Sequence, residues 1–177
     1  MFVSYLGLKD IKIEMSSAKF YKRLCELVDD TSFVDILKKR DLSSMKILID
    51  RKGIQSPLKD LLIQLPRCFG DIAMLNQMIM MIQDQQLKDA LLELRDLYDK
   101  LEKKEFFSFD LAMTPSMKYY TGIIIKGYSP YSADTIINGG RYDKLMDHFH
   151  KVVPAIGFSY DLSHILKALE KEEENNA

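Results

Sequence analysis

The hydrophobic periodicity of the sequence changes near residue 104, and this change limits the possible folds more than any other feature. From Thr31 to Lys104, apolar residues recur every three or four positions in short segments, as in helices that bury one face. After Lys104, short β-branched and aromatic runs alternate with proline and glycine, which is typical of strands. The sequence therefore predicts an α+β fold, in which helices flank a mostly antiparallel sheet.

Capping signals divide the helical block into separate helices. A short polar side chain before an apolar stripe favours a helix start, and glycine suits the left-handed backbone at a helix end. The predicted starts are Ser16 or Ser17, Asp41, Ser56 followed by Pro57, and Gly70-Asp71; the predicted ends are Asp29, Gly53 and Pro66.

Strands are predicted at residues 11–15, 106–111, 122–128, 135–137 and 155–160. The connections between the later strands are too short for parallel crossovers, so antiparallel pairing is expected. Residues 1–15 and 105–169 are predicted to form the core around the sheet, and residues 16–104 a helical insertion. The charged tail at 170–177 is predicted to fray.

Charge, cysteine and histidine content argue against several classes of function. The formal net charge is −1 and the pI is near 6.3, so the bulk electrostatics do not indicate nucleic-acid binding. Cys25 and Cys68 lie far apart, without a signal peptide or a membrane-spanning run, which indicates a reducing cytoplasm and two buried thiols. His148 and His150 lack further ligands at suitable spacing, so surface or hinge positions are predicted for them and no metal site.

Three short segments follow one another in the strand-rich part. They are Lys118-Tyr119-Tyr120-Thr121-Gly122-Ile123, Asn138-Gly139-Gly140-Arg141-Tyr142-Asp143-Lys144-Leu145 and Pro154-Ala155-Ile156-Gly157-Phe158. Each is weak evidence alone. In this order, they resemble the histidyl-tRNA synthetase family and its non-synthetase relative, the regulatory subunit of short-form ATP phosphoribosyltransferase. The resemblance implies a class II aminoacyl-tRNA synthetase-like sheet.

The same segments contain the candidate site residues. Tyr119 and Tyr120 at the base of a strand would supply one ring to each face, and Gly139-Gly140 would permit a sharp turn that presents Arg141. Each feature can also be explained by structure alone, since strand tyrosines are commonly core residues and a Gly-Gly pair is commonly part of a hairpin. By resemblance, these five residues form the floor of a histidine pocket.

Three positions depart from the synthetase pattern. Amino-acid activation builds negative charge that fixed cations must stabilise. Pro115 stands where the synthetases have an arginine, His164 stands where a second arginine lies against ATP, and Asp161 replaces a small residue. Lys118 could supply a charge, but its place beside Tyr119 on a strand predicts the opposite face. Synthetase-like ATP binding is therefore not expected.

These departures make the chain more similar to the regulatory subunit than to the synthetases. The resemblance then implies no catalysis, no cofactor, the short-form catalytic subunit of ATP phosphoribosyltransferase as partner, and a part in histidine feedback with L-histidine as ligand. It implies a homodimer for the full-length parent, and neither a membrane nor a nucleic-acid partner. The alternative is a core fragment of histidine–tRNA ligase, with its arginines in upstream sequence.

Parts of the family's architecture have no counterpart in the sequence. The first and second class II motifs would be expected before Met1, and no anticodon-binding domain follows Leu169. The sequence is therefore expected to be a portion of a longer protein.

Overall fold

The computed structural model describes residues 7–145 and 153–176, and one six-stranded sheet runs through them. The strands are β1 (Lys12–Ser17), β2 (Phe69–Gly70), β3 (Phe107–Asp110), β4 (Ile123–Tyr128), β5 (Ile137–Arg141) and β6 (Ile156–Tyr160). Their order across the sheet is β2-β3-β1-β4-β5-β6.

Strands β1 and β3 are parallel, and every other neighbouring pair is antiparallel. Parallel neighbours require a long crossover, and the helical block between β1 and β3 provides it. The connection between β4 and β5, residues 129–136, is too short for a parallel crossover and suits their antiparallel pairing. The predicted α+β fold with a mostly antiparallel sheet is confirmed.

Six α-helices occupy the crossover. They are α1 (Ala18–Val28), α2 (Phe33–Lys39), α3 (Leu42–Lys52), α4 (Leu58–Gln64), α5 (Ile72–Met81) and α6 (Gln85–Asp99). The side chains of Ser17, Asp41 and Asp71 accept backbone N–H groups at the starts of α1, α3 and α5, as predicted. The predicted cap at Ser56 is wrong, because α4 begins at Leu58 and Pro57 takes the cap position without a side-chain hydrogen bond.

The helical block packs on one face of the sheet, which we call the apolar face. Met15 of β1 and Phe109 of β3 are fully buried there in the same cluster as helix residues such as Phe20 and Leu94. Such shared burial is the main stabilising contribution to a fold of this size. Because strands and helices share this cluster, the division into a core and an insertion stays a prediction.

Both cysteines are free thiols that contact this cluster. Cys68 is buried and Cys25 is half-buried. Burial raises the pKa of the Cys68 thiol to about 11, and it also raises the pKa of Cys25. Their placement agrees with the predicted role as small hydrophobic residues.

Two predictions about strands and turns differ from the structure. Strand β2 lies inside the block predicted to be helical, where Phe69 and Gly70 pair with β3. Strand β5 runs to Arg141, so Gly139 and Gly140 lie within a strand and not in a turn. Hydrogen bonding to β4 on one side and β6 on the other keeps this glycine pair extended.

Helix α7 (Leu162–Asn176) includes residues 170–176, where the sequence predicted a frayed tail. Glu172 is buried, and its carboxylate accepts the backbone N–H groups of Lys9 and Asp10 at 2.8 to 3.2 Å. This long-range contact anchors the end of the helix to the segment before β1.

In residues 7–145 and 153–176, no helix is long and apolar enough to cross a membrane. The same ranges contain no group of three or more His, Cys, Asp or Glu side chains that could hold a metal ion. His148 and His150, for which surface or hinge positions were predicted, lie outside the described residues.

Candidate functional site

The face of the sheet opposite the helical block carries a row of polar side chains. The row consists of Ser108 (β3), Glu14 (β1), Lys126 (β4), Asn138 (β5) and Ser159 (β6), which are direct neighbours across five strands. Because side chains alternate along a strand, all five point to one face. We call these residues the polar row and this face the polar face.

Two serines on the polar face have buried hydroxyl groups without a hydrogen-bond partner. Ser108 belongs to the polar row, and Ser16 lies two residues beyond Glu14 on the same strand face. Buried polar groups are almost always paired in folded proteins, because an unpaired one loses its hydration without compensation. These hydroxyls therefore have free capacity to bind a further donor or acceptor.

Glu14 is the central acidic group of the polar row. Burial raises the pKa of the Glu14 carboxyl, and the negative charge of Asp110 raises it further. The cation of Arg40, a hydrogen bond with Tyr128 and the cation of Lys126 offset part of this shift. Burial and Glu14 together raise the pKa of Tyr128 to about 12, so its hydroxyl stays a donor at neutral pH.

Asp110 is buried beside this group, but its charge is already paired. Its carboxylate accepts a short hydrogen bond from the guanidinium of Arg40, at the end of α2, and another from the backbone N–H of Ala112. Asp110 thus fixes a loop of the helical block to β3. Among the described residues, the carboxylate of Glu14 has no arginine or backbone N–H as a hydrogen-bond partner, in contrast to that of Asp110.

Three tyrosines cluster at the other end of the polar face. The rings of Tyr119 and Tyr120 meet edge to face with centroids 5.2 Å apart, and Tyr142 approaches Tyr119 at 5.7 Å. Tyr120 packs against Ala18 and Ile124 and is only 6% exposed, whereas Tyr119 is 40% exposed. The pair lies in a turn before β4, and Tyr119 is the ring that a ligand can reach.

The glycines of β5 permit close packing on both faces of the strand. A Cβ atom on Gly140 would lie 2.6 Å from the carbonyl oxygen of Ile123 and 2.9 Å from the ring of Tyr120. A Cβ atom on Gly139 would overlap the ring of Phe158 on the opposite face. Gly140 therefore allows Tyr120 to lie directly on the sheet.

Arg141 points to the apolar face, away from Tyr120. Its side chain lines a cavity of about 380 Å³ between the sheet and α6, together with Glu93 and Lys100. Its Nε donates to the carboxylate of Asp143 at 2.8 Å. Burial alone would raise the pKa of Asp143, but the backbone N–H of Ala155 and the guanidinium of Arg141 outweigh it and lower the pKa.

The structure thus brings together some of the predicted site residues and separates others. Tyr119, Tyr120 and Gly140 are adjacent on the polar face, whereas Gly139 and Arg141 belong to the other face. Sequence reasoning missed the polar row. Its local signal is confined to β1, where Lys12, Glu14 and Ser16 alternate, because β4 and β5 contribute one residue each, Lys126 and Asn138.

Comparison with known proteins places this architecture in a family. The sequence profile described as histidyl-tRNA synthetase matches residues 1–165, which is most of the chain. The chain belongs to the histidyl-tRNA synthetase family.

The curated relatives of the chain support this family assignment. Proteins named ATP phosphoribosyltransferase regulatory subunit are 34% identical over 173 residues in Lactococcus lactis subsp. lactis and 36% identical over 176 residues in subsp. cremoris. Both matches cover 97% of the chain, and 52% and 55% of the relatives. The chain therefore spans about half the length of the curated relatives that it matches.

A crystal structure of an ATP phosphoribosyltransferase regulatory subunit/histidyl-tRNA synthetase from Bacillus halodurans C has a TM-score of 0.82 to this chain at 26% identity. The match covers 94% of the chain and 46% of that structure. It confirms the predicted class II synthetase-like fold.

The structure shows the surroundings of Asp161, His164 and Pro115, the three residues that depart from the synthetase pattern. Asp161 accepts the backbone N–H of His164 and so caps the start of α7. The imidazole of His164 lies 3.3 Å from Asp161 and 3.6 Å from Asp134, so its neighbours are carboxylates. Pro115 carries no charge, and Lys118 in the following turn is exposed. An acidic surrounding at His164 opposes the binding of a polyphosphate.

Proposed function

We propose that this chain serves in a non-catalytic regulatory subunit of ATP phosphoribosyltransferase, in histidine biosynthesis. The observation that carries the proposal is the 34–36% identity, over nearly the whole chain, to proteins that bear this name. The proposed partner is the short-form catalytic subunit, which the regulatory subunit would bind in a hetero-oligomer. A homodimer of regulatory subunits and a cytoplasmic location complete the proposal.

The chemistry of the departing positions supports a non-catalytic role. Transfer of a carboxylate to the α-phosphate of ATP needs fixed cations in the transition state, and each such donor typically accounts for about a hundredfold to a thousandfold in rate. Pro115 supplies no charge, and His164 lies between two carboxylates.

We further propose that the family pocket binds L-histidine as a regulatory ligand. Tyr119 and Tyr120 would form its aromatic wall, and Gly140 would bring the strand close to them. Gly139 and Arg141 face the other side, so their proposed contribution is to position β5. The polar row gives this pocket charged groups of both signs.

Mixing the protein with a short-form catalytic subunit at micromolar concentration tests the regulatory function. We expect a co-eluting complex in size-exclusion chromatography and a faster phosphoribosyl transfer than the catalytic subunit shows alone. L-Histidine should reduce that gain, since a ligand that favours one conformation changes the activity of the assembly. If neither a complex nor a change in turnover is found, the regulatory function is wrong.

The second candidate is histidine–tRNA ligase, which the family profile favours because it bears that name. Histidine-dependent exchange of pyrophosphate into ATP separates the two candidates. We expect no exchange above background, because Pro115 and His164 stand where the synthetases have arginines, so the two guanidinium cations are missing. Robust exchange would favour the ligase.

A further inference from the structure

We infer that Asp143 is a positioning residue of the proposed pocket, because its hydrogen bonds join the three chain segments around the exposed tyrosine rings. This inference rests on the proposed function, which takes L-histidine as the ligand of the pocket. Asp143 does not have to touch the ligand for this role. It holds Tyr119 and Tyr142 in one arrangement before the ligand binds.

The carboxylate of Asp143 joins the ends of two neighbouring strands. Its two oxygens accept Nε of Arg141 at 2.8 and 3.0 Å, and one of them also accepts the backbone N–H of Ala155 at 3.0 Å. Arg141 is the last residue of β5, and Ala155 directly precedes β6. A single side chain therefore fixes the exit of one strand to the entry of the next.

The backbone of the same residue joins a third segment, the turn before β4. The N–H of Asp143 donates to the hydroxyl of Thr121 at 3.0 Å, and the N–H of Thr121 donates to the carbonyl of Arg141 at 2.8 Å. Thr121 directly follows Tyr119 and Tyr120 in that turn. Asp143 is thus bonded to the segment that carries the exposed ring as well as to β5 and the entry of β6.

The arrangement of the rings depends on all three segments. Tyr142 precedes Asp143, and its ring meets that of Tyr119 edge to face at 5.7 Å. The N–H of Tyr142 donates to the carbonyl of Ala155 at 2.8 Å, and a Cβ atom on Gly157 would overlap the hydroxyl of Tyr142. The ring therefore lies across β6 and against the turn. An edge-to-face contact alone is a weak restraint on two separate segments, so the bonds of Asp143 supply the main one.

The charge of Asp143 suits this role. Although burial favours the neutral acid, the N–H of Ala155, the guanidinium of Arg141 and the cation of Lys19 on α1 together lower the pKa of the Asp143 carboxyl. The group is therefore ionised at neutral pH, and both oxygens accept hydrogen bonds. Hydrogen bonds to an ionised acceptor are about twice as strong as neutral ones. Bonds of this kind hold the residues of a binding site in a fixed geometry.

Near-ultraviolet circular dichroism of the ligand-free protein tests the arrangement of the rings. The chain has nine tyrosines and no tryptophan, so the tyrosine band reports rings in fixed surroundings without interference from indole. Asp143→Ala should weaken this band as Tyr119→Leu does, which removes the ring contacts directly. Asp143→Asn should retain more of the band, because its amide oxygen can still accept the N–H of Ala155. An unchanged band in Asp143→Ala would overturn the inference.

Asp30→Ala is the matched control. Asp30 lies in the helical block and accepts the guanidinium of Arg51 at 2.6 Å and the backbone N–H of Ser32 at 2.9 Å, the same kinds of partner as at Asp143. We expect the two alanine variants to lower Tm to a similar extent, and only Asp143→Ala to weaken the tyrosine band. Equal weakening of the band in both variants would indicate a general loss of packing and would count against a positioning role.

Titration calorimetry with L-histidine tests the consequence for binding. Asp143→Ala should weaken L-histidine binding about tenfold or more, Asp143→Asn should weaken it less, and Asp30→Ala should leave it unchanged. Thr121→Val removes the hydroxyl that accepts the N–H of Asp143 and should also weaken binding. This variant decides the question if Asp143→Ala does not fold. Unaltered affinity in the Asp143 and Thr121 variants would show that neither residue positions the pocket.

The inference and the proposed function can fail separately, because the tyrosine band is measured without L-histidine and without the catalytic subunit. A protein that activates the catalytic subunit but keeps its tyrosine band after Asp143→Ala would retain the regulatory function and lose this positioning residue. A protein whose tyrosine band and L-histidine affinity both depend on Asp143, but which does not affect the catalytic subunit, would show the reverse.

Discussion

The two faces of the sheet use the same strands for different purposes. On the apolar face, Met15 and Phe109 are fully buried against the helical block. On the polar face, their sequence neighbours Glu14 and Ser108 belong to a row of charged and hydroxyl-bearing side chains. The apolar face thus contributes most of the buried apolar surface, whereas the polar face carries the serine hydroxyls that have no hydrogen-bond partner among the described residues.

This difference indicates which substitutions should affect folding and which should affect binding. Burial of apolar surface drives folding, whereas buried polar groups without partners oppose it unless a ligand satisfies them. Function and stability are then separable by single substitutions at adjacent residues, which lie on opposite faces.

Phe109→Ala should have the largest effect on stability. Its ring is fully buried and contacts Tyr98 at a centroid distance of 5.3 Å. Loss of a buried phenylalanine typically lowers the free energy of unfolding by about 3 to 5 kcal/mol. Urea denaturation measures the change, and Ser108→Ala, one residue away on the polar face, should be close to neutral. Equal losses in the two variants would contradict the difference between the faces.

Gly140→Ala should lower the free energy of unfolding by about 1 to 3 kcal/mol. The added methyl group would meet the carbonyl oxygen of Ile123 and the ring of Tyr120, both closer than 3.0 Å. Gly53→Ala is the comparison, because an added methyl group at Gly53 meets no other atom. The only cost there is the positive φ of 64°, which alanine adopts at a cost of about 1 kcal/mol. Thermal unfolding of both variants should rank Gly140→Ala as the less stable.

The adjacent serines at the end of β1 offer a finer test. Ser17 accepts the backbone N–H of Phe20 and caps α1, so Ser17→Ala should cost about 1 kcal/mol. Ser16 has no partner for its buried hydroxyl, so Ser16→Ala should be neutral or slightly stabilising. Chemical denaturation of the two variants in parallel would show no difference if the capping bond were unimportant.

The smallest expected effect concerns the pH dependence of stability. Because the folded-state pKa of Glu14 is raised above 4.5, folding disfavours its ionised form. This penalty is complete above the folded pKa and disappears as the pH falls through that pKa toward 4.5. Glu14→Gln should therefore be slightly more stable than the unaltered protein at neutral pH, and the difference should vanish in acid. A difference that grows in acid would contradict the raised pKa.

The sequence predicted those features of the fold that depend on local chemistry. Helix α3 begins after Asp41 and ends before Gly53 as expected, because a capping carboxylate and a left-handed glycine act within one helical turn. The helical tail was missed because Glu172 is anchored by Lys9 and Asp10, which are far away in sequence.

The candidate site was only partly predictable for the same reason. Gly139 and Gly140 have the composition of a turn, and only pairing with two neighbouring strands makes them extended. Once they lie in a strand, alternation places Arg141 on the face opposite Tyr120. The polar row required the register of five strands, which no local pattern contains.

The central position of β1 has a consequence for the order of folding. Residues 12–17 pair with residues 107–110 and 123–128, so the middle of the sheet closes only when the chain brings together segments from either side of the helical block. Contacts of such high sequence separation slow folding, whereas the helices between them form from near neighbours. During synthesis, β1 is made before either of its partners. Until they emerge from the ribosome, its apolar residues are open to chaperones and to aggregation.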